Sequence, residues 1–259
     1  MSGSTEQPRL IKAATRKEVG RPGRIAAYIA GLDLNEIVGS YHEMVDQAPR
    51  RGDDGFPYFK PRTGFPTSGR IGNRYEEYLC MALANDHAVI PIDAEQIDIL
   101  MYQFPLYTKG GPRGMRGVDV VGHSHQQGRF WVIEAKVKSE NGRGQTPLRA
   151  LYEGLIYAAI VEANHKKISE ELASEQFLRE SVFPRPGIVV TAPSNYWRRW
   201  TADKRTGDWW PVYTELVSQL SDRLRTPIEV IDLGEVWFAG VAGEPFHLTG
   251  EVTVRKVWY

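Results

Sequence analysis

The segment from Thr146 to Asn164 constrains this chain more than any other. It opens with a threonine and a proline, the pattern of an N-cap followed by the first helical position. From there it is apolar nearly all round. A helix without a polar face has to be buried. Strand-like runs lie on both sides of it: QIDILMYQF (96–104), GVDVVGH (117–123) and RFWVIEAKV (129–137) before it, GIVVTA (187–192) and IEVIDL (228–233) after it. Helical periods over about 71–84, 166–181 and 208–225 alternate with these runs. The polar stretch HSHQQG (123–128) joins two runs as a hairpin, so those strands are antiparallel. The expectation is an α/β fold: a mixed central sheet flanked by helices. Two further strand-like runs, 235–239 and 250–258, close the chain.

Before this core, residues 1–24 are polar, basic and punctuated by Gly and Pro, and read as a mobile start. A short helix near 23–31 and an amphipathic helix over Leu34–Val45 follow. The Gly- and Pro-rich stretch 47–70 reads as an irregular connection. The division expected is an N-terminal helical extension over 1–62 and an α/β core over 63–259. The length of 259 residues, with 42% hydrophobic and 25% charged residues, suits a protein that buries a full core and excludes wholly disordered classes. No apolar run approaches the length of a membrane span, and the first residues lack the apolar stretch of a secretory signal. One cysteine, Cys80, allows no intrachain disulfide and no multi-cysteine zinc site. A reducing, cytoplasmic setting with no membrane partner is expected. Lys plus Arg and Asp plus Glu are 32 each, so any basic surface must be local.

The chemistry concentrates in two neighbouring runs. Phe130-Trp131-Val132-Ile133 leads directly into Glu134-Ala135-Lys136. Glu134 and Lys136, two apart on a strand, share one face. Asp119 lies on the partner strand of the hairpin, where its carboxylate can stand beside that of Glu134. Two carboxylates next to a lysine form a hard-oxygen site suited to Mg²⁺, with the carbonyl of Ala135 as a natural further ligand. Acids so arranged repel one another without a metal and should show raised proton affinity.

This layout resembles the PD-(D/E)XK nuclease superfamily over about 71–161, in motif and in element order. The resemblance implies a restriction-endonuclease-like core and a metal-dependent nuclease acting on DNA, with Mg²⁺ as cofactor and Mn²⁺ as a substitute. It implies that Asp119 and Glu134 bind the metal and that Lys136 positions or polarises the attacking water. It also implies a further glutamate from the preceding helix. In Gly72-Asn73-Arg74-Tyr75-Glu76, Glu76 borders the apolar stripe whereas Glu77 points away, so Glu76 is the candidate. Two departures stand out: Val118 rather than proline precedes Asp119, and Glu153 replaces the glutamine of a Gln-x-x-x-Tyr pattern ending at Tyr157. A glutamate there repels a phosphate unless it is protonated or metal-bound. Two rivals remain open. One is an RNA-directed nuclease of the same fold. The other is a catalytically silent member that binds nucleic acid or serves as a subunit of a complex. A homodimer or larger nuclease complex is the expected assembly.

Candidate nucleic-acid contacts are Arg113 and Arg116 in the basic loop Lys109–Arg116, Arg149 and Tyr157 on the buried helix, and Arg198 and Arg199. The last two sit in a stretch from Tyr196 to Trp210 that interleaves aromatic and basic residues. Such a mixture suits base stacking with backbone contacts, but it equally suits a local tryptophan core with arginines reaching outward. Arg149 pairing internally with Glu153, four residues on, is as plausible as a border role. His123 and His125 form an HxH pair beside Asp119, open to a zinc reading, although in a polar hairpin such histidines are usually solvated. Cys80 reads as a small packing residue.

Overall fold

Residues 89–135 form four antiparallel strands in the computed structural model, which describes residues 8–16, 25–51, 53–59, 74–107, 117–138, 145–174, 185–202 and 209–257. These strands are β1 (Val89–Ile92), β2 (Glu95–Pro105), β3 (Gly117–Ser124) and β4 (Arg129–Ala135). The sheet continues through β5 (Gly187–Ala192), β6 (Ile228–Asp232) and β9 (Arg255–Lys256) in the order β1-β2-β3-β4-β5-β6-β9. The β4–β5 and β5–β6 pairs are parallel and the rest antiparallel, so the sheet is mixed. A parallel return needs a crossover. Helix α5 (Pro147–Ala163) supplies part of the one from β4 to β5, and α8 (Trp209–Leu224) part of the one from β5 to β6.

Period-two alternation divides the strand side chains between two cores. Phe130, Val132, Ile188, Val190 and Val230 pack with α5 and α8. Trp131, Ile133, Val189 and Ile231 pack on the other side with Leu79, Cys80 and Leu83 of α4 (Tyr75–Asn85). The sheet is therefore covered on both faces. This explains why β5 is buried at every residue. A hairpin of β7 (Trp237–Ala239) and β8 (His247–Thr249) forms a second, two-stranded sheet beside α4, where Tyr78 stacks on Phe246 at 4.4 Å.

Helix α5 has the predicted start. The Thr146 side chain accepts the backbone N–H of Arg149, and proline occupies the first turn. Apart from Arg149, residues 147–161 are all buried. Its cover comes partly from α1 (Arg9–Ala14), α2 (Ile25–Ala30) and α3 (Leu34–Asp46), whose Leu10, Ile11, Ile29, Ile37, Tyr41 and Met44 join the same core. Within the start expected to be mobile, Arg9–Ala14 instead forms a helix, since the spacing of Leu10, Ile11 and Ala14 gives this short basic segment a face to bury; residues 1–7 and 17–24 lie outside the described residues. Strand β1 and helix α7 (Ser194–Ala202) also lay outside the expected elements, while the run 250–258 pairs only at Arg255–Lys256. Pro91 obscured β1, which tolerates it as an edge strand. Helix α6 is described over His165–Ser174; the remainder of the predicted 166–181 helix lies outside the described residues. No described helix is long and apolar enough to cross a membrane.

Gly187 marks the tightest contact between strands β4 and β5. A Cβ there would lie 2.3 Å from the Trp131 ring, itself buried and paired with Gly187 in register. We expect Gly187→Ala to lower stability by about 1–3 kcal/mol through overpacking. A urea midpoint unchanged to within about 0.5 kcal/mol would show that the indole yields.

Candidate metal centre

At the end of β4 the apolar alternation stops and Glu134 and Lys136 follow on the side occupied by Val132. Both are held by backbone pairing with β5. Glu134 lies opposite Val190, and the Lys136 N–H donates to the Thr191 carbonyl at 2.7 Å. The antiparallel register Val120↔Ile133 places Asp119 across from Glu134. The Asp119 carboxylate accepts the Ala135 N–H at 3.2 Å, which fixes it to β4. Glu76 arrives from the first turn of α4, while its neighbour Glu77 pairs with Arg74. The choice of Glu76 over Glu77 thus matches the geometry.

The four residues meet around the Lys136 ammonium. Its Nζ lies 3.3 Å from Glu76 and 4.0 Å from Asp119, and it forms an ion pair with Glu134. A fourth carboxylate completes the set: Glu153 of α5 stands 3.3 Å from the same nitrogen. The sequence marks Glu153 as a misfit for holding phosphate and as a partner of Arg149, and gives no sign of its contact with Lys136. The signal available was a charged residue on a helix otherwise buried all round. Arg149 Nε binds the other oxygen of Glu153 at 2.9 Å.

Exposure is graded across the cluster. The side chains of Lys136 and Glu134 are 2% exposed, those of Asp119 and Glu76 25% and 35%. Glu76 and Asp119 thus form the mouth, and Glu134 the floor. Four carboxylates face one ammonium and one guanidinium, so full ionisation leaves an excess of negative charge. Burial, reinforced by Glu76 and Glu153 against the pull of Lys136, pushes the Asp119 carboxyl up to about 7. Burial and then Asp119 hold the Glu134 carboxyl well above the ordinary range. Glu153 goes the other way: burial disfavours its charge, but Lys136 and Arg149 more than offset that and keep it below the usual value. Burial likewise opposes the charge on Lys136, and the surrounding carboxylates overcome it.

The donor set fits a hard divalent cation. One oxygen from each of Glu76, Asp119 and Glu134 lies within 4.8 Å of the others. Among the described residues no donor reaches Glu134 Oε2, which is buried, a costly state that a cation would relieve. Oxygen-only donors suit hard cations better than softer metals. Ala135 enters the observed contacts through its N–H to Asp119.

The other candidate residues disperse. Tyr157, one turn beyond Glu153 on α5, is buried; burial and then Glu134 push its phenol well above the usual range, so it stays a neutral hydroxyl beside the cluster. Arg113 and Arg116 lie outside the described residues. Arg198 pairs with Glu235 at 3.0 Å on the surface, and Arg199 lies over the Trp200 ring. Trp197, Trp200, Trp209 and Trp210 are buried among one another, so the core alternative holds for these aromatics. The Trp197 indole N–H donates to the Ala192 and Ile231 carbonyls, and that of Trp209 to the Trp200 carbonyl. Their polar edges are thus satisfied inside. The hairpin histidines need a correction: His123 belongs to β3, is buried, and is held neutral by a pKa lowered to about 4 through burial, then His125. His125 alone is exposed, near Asp98 at 3.4 Å. Cys80 is buried in α4, and burial followed by the nearby carboxylates pushes its thiol well up, as befits a packing residue.

The elevated Asp119 carboxyl has a pH signature. The unfolded chain releases this proton near its ordinary 3.8, the folded protein near 7. Between those values the folded state binds more protons, so metal-free stability falls as pH rises through the window. A divalent cation displaces the same proton, so its stabilising effect grows across that range. Thermal melts should show a small Mn²⁺-induced rise in Tm at pH 5 and a clearly larger one at pH 8. A rise independent of pH would remove Asp119 from the ligand set.

Comparison with protein-family models, with curated proteins and with solved structures finds no match to this chain.

Proposed function

We propose that this chain is a Mg²⁺- or Mn²⁺-dependent nuclease that hydrolyses phosphodiester bonds in DNA on a restriction-endonuclease-like core. The observation that carries this reading is the convergence of Asp119, Glu134 and Lys136 with Glu76 from separate elements onto one point. The run of three antiparallel strands β2–β4, the buried helix α5 and the parallel return to β5 supports the same resemblance.

Glu76, Asp119 and Glu134 would hold the cation, with the Ala135 carbonyl as the further ligand inferred from the sequence. A divalent ion, when bound, supplies charge neutralisation at the scissile phosphate and eases deprotonation of water at neutral pH. Lys136 contributes a fixed positive charge beside the position of the attacking water and the phosphate. The pairing of β4 with β5 holds that charge in place, so little reorganisation accompanies the reaction. Asp119 and Glu76, at the mouth, define where the phosphate enters. The Tyr157 hydroxyl offers a neutral donor close by. Arg149, Arg198 and Arg199, with Arg113 and Arg116 from the basic loop, are the proposed backbone contacts. Action as a homodimer or within a larger nuclease complex belongs to this proposal; an RNA-directed nuclease of the same fold and a catalytically silent nucleic-acid-binding protein or complex subunit are its alternatives. The intact acid and lysine set speaks against the silent rival.

Incubation of the full chain with Mg²⁺ or Mn²⁺ and plasmid, single-stranded DNA or RNA should cleave at least one substrate. A chelator should stop it. Asp119→Ala and Lys136→Ala should each lower the rate by about a hundredfold or more while circular dichroism stays unchanged. A salt-dependent DNA shift without cleavage would favour the binding rival.

A further inference from the structure

Glu153 lies outside the group of three carboxylates whose oxygens face one another within 4.8 Å, although it also shares a hydrogen bond with Glu134. Both of its oxygens are engaged: Oε1 by Arg149 Nε at 2.9 Å, and Oε2 by Lys136 Nζ at 3.3 Å. Its backbone lies on a helix that is buried and capped at Thr146, and the cap accepts the N–H of Arg149 itself. Glu153 therefore reaches Lys136 from a rigid mount. Glu134 and Glu76 reach the same ammonium, yet they also belong to the group whose oxygens lie within 4.8 Å of one another.

We propose that Glu153, locked by Arg149, is a positioning residue that retains Lys136 in the site when a divalent cation is held by Glu76, Asp119 and Glu134. The proposal rests on the metal-site reading above. Before a cation enters, Lys136 is shared among four carboxylates. A doubly charged ion on three of them withdraws those partners and repels the ammonium. Lys136 is 2% exposed, so it has no water to turn to without leaving its slot. A buried ammonium without an anionic partner is strongly disfavoured. Glu153 is the carboxylate left to it, and Arg149 keeps that carboxylate pointed inward. The glutamate that fits poorly as a phosphate contact thus serves the lysine instead.

Accessibility of the Lys136 amine tests this directly. The full chain is treated with limiting acetic anhydride with and without saturating Mn²⁺, and modification of Lys136 is read by peptide mass spectrometry. Mn²⁺ uptake is measured separately by calorimetry. Wild type should keep Lys136 protected in both states. Glu153→Gln should keep it protected without Mn²⁺, because Glu134 and Glu76 still hold it, and should show at least a tenfold rise in modification with Mn²⁺. Glu153→Asp should recover part of the protection. Equal protection of wild type and Glu153→Gln in Mn²⁺ would overturn the proposal. So would equal labelling of Glu153→Gln with and without Mn²⁺, since that marks a purely structural role. Labelling of wild-type Lys136 on Mn²⁺ addition would overturn it as well. No Mn²⁺ uptake by wild type would reject the metal-site reading itself, and this proposal with it.

Discussion

A single buried ammonium organises this protein's site. Lys136 carries its charge into an interior from which water is almost excluded, and four carboxylates make that tolerable. Neither partner set is stable alone: the acids without the lysine repel one another, and the lysine without the acids is an unpaired buried charge. The cluster therefore has to be assembled by elements already rigid for other reasons. Strand β4, locked between β3 and β5, sets Glu134 and Lys136; the hairpin register sets Asp119; α4 and α5 bring glutamates from different directions.

The sheet explains how opposite demands are met within a few residues. Along β4, Trp131 and Ile133 serve one core and Phe130 and Val132 the other. At Glu134 the same alternation delivers a carboxylate where a hydrophobic side chain would otherwise point. The apolar strand keeps water from the floor of the site, which is what raises the proton affinity of Glu134 and Asp119. Burial and electrostatic frustration thus have one structural cause. A proton relieves that frustration, and a cation held there would compete for the same oxygens.

The tryptophan-rich region follows a different logic. Residues that alternate aromatic and basic types look like a nucleic-acid surface when written in a line. On α7 and α8 the helical period turns the indoles inward, where they meet edge-to-face, and leaves arginines at the boundary. His123 is a parallel case: within β3 its ring is buried and neutral, whereas His125, in the turn two residues on, is exposed.

Local pattern was enough for much of the fold. The all-apolar helix, its Thr-Pro start, the hairpin and the alternation into Glu134 and Lys136 depend on neighbours within a few residues, and those rules are readable in a sequence. Asp119 beside Glu134 was also legible, because a short hairpin leaves little freedom of register. The strand β1 was not, since Pro91 conceals an edge strand, nor was α1, whose few apolar residues gain meaning only against α5. Above all, Glu153 on Lys136 was not. The two lie seventeen residues apart on different elements, and their contact depends on how α5 is rotated over the sheet. That rotation is decided by packing on several faces at once, which no local pattern encodes.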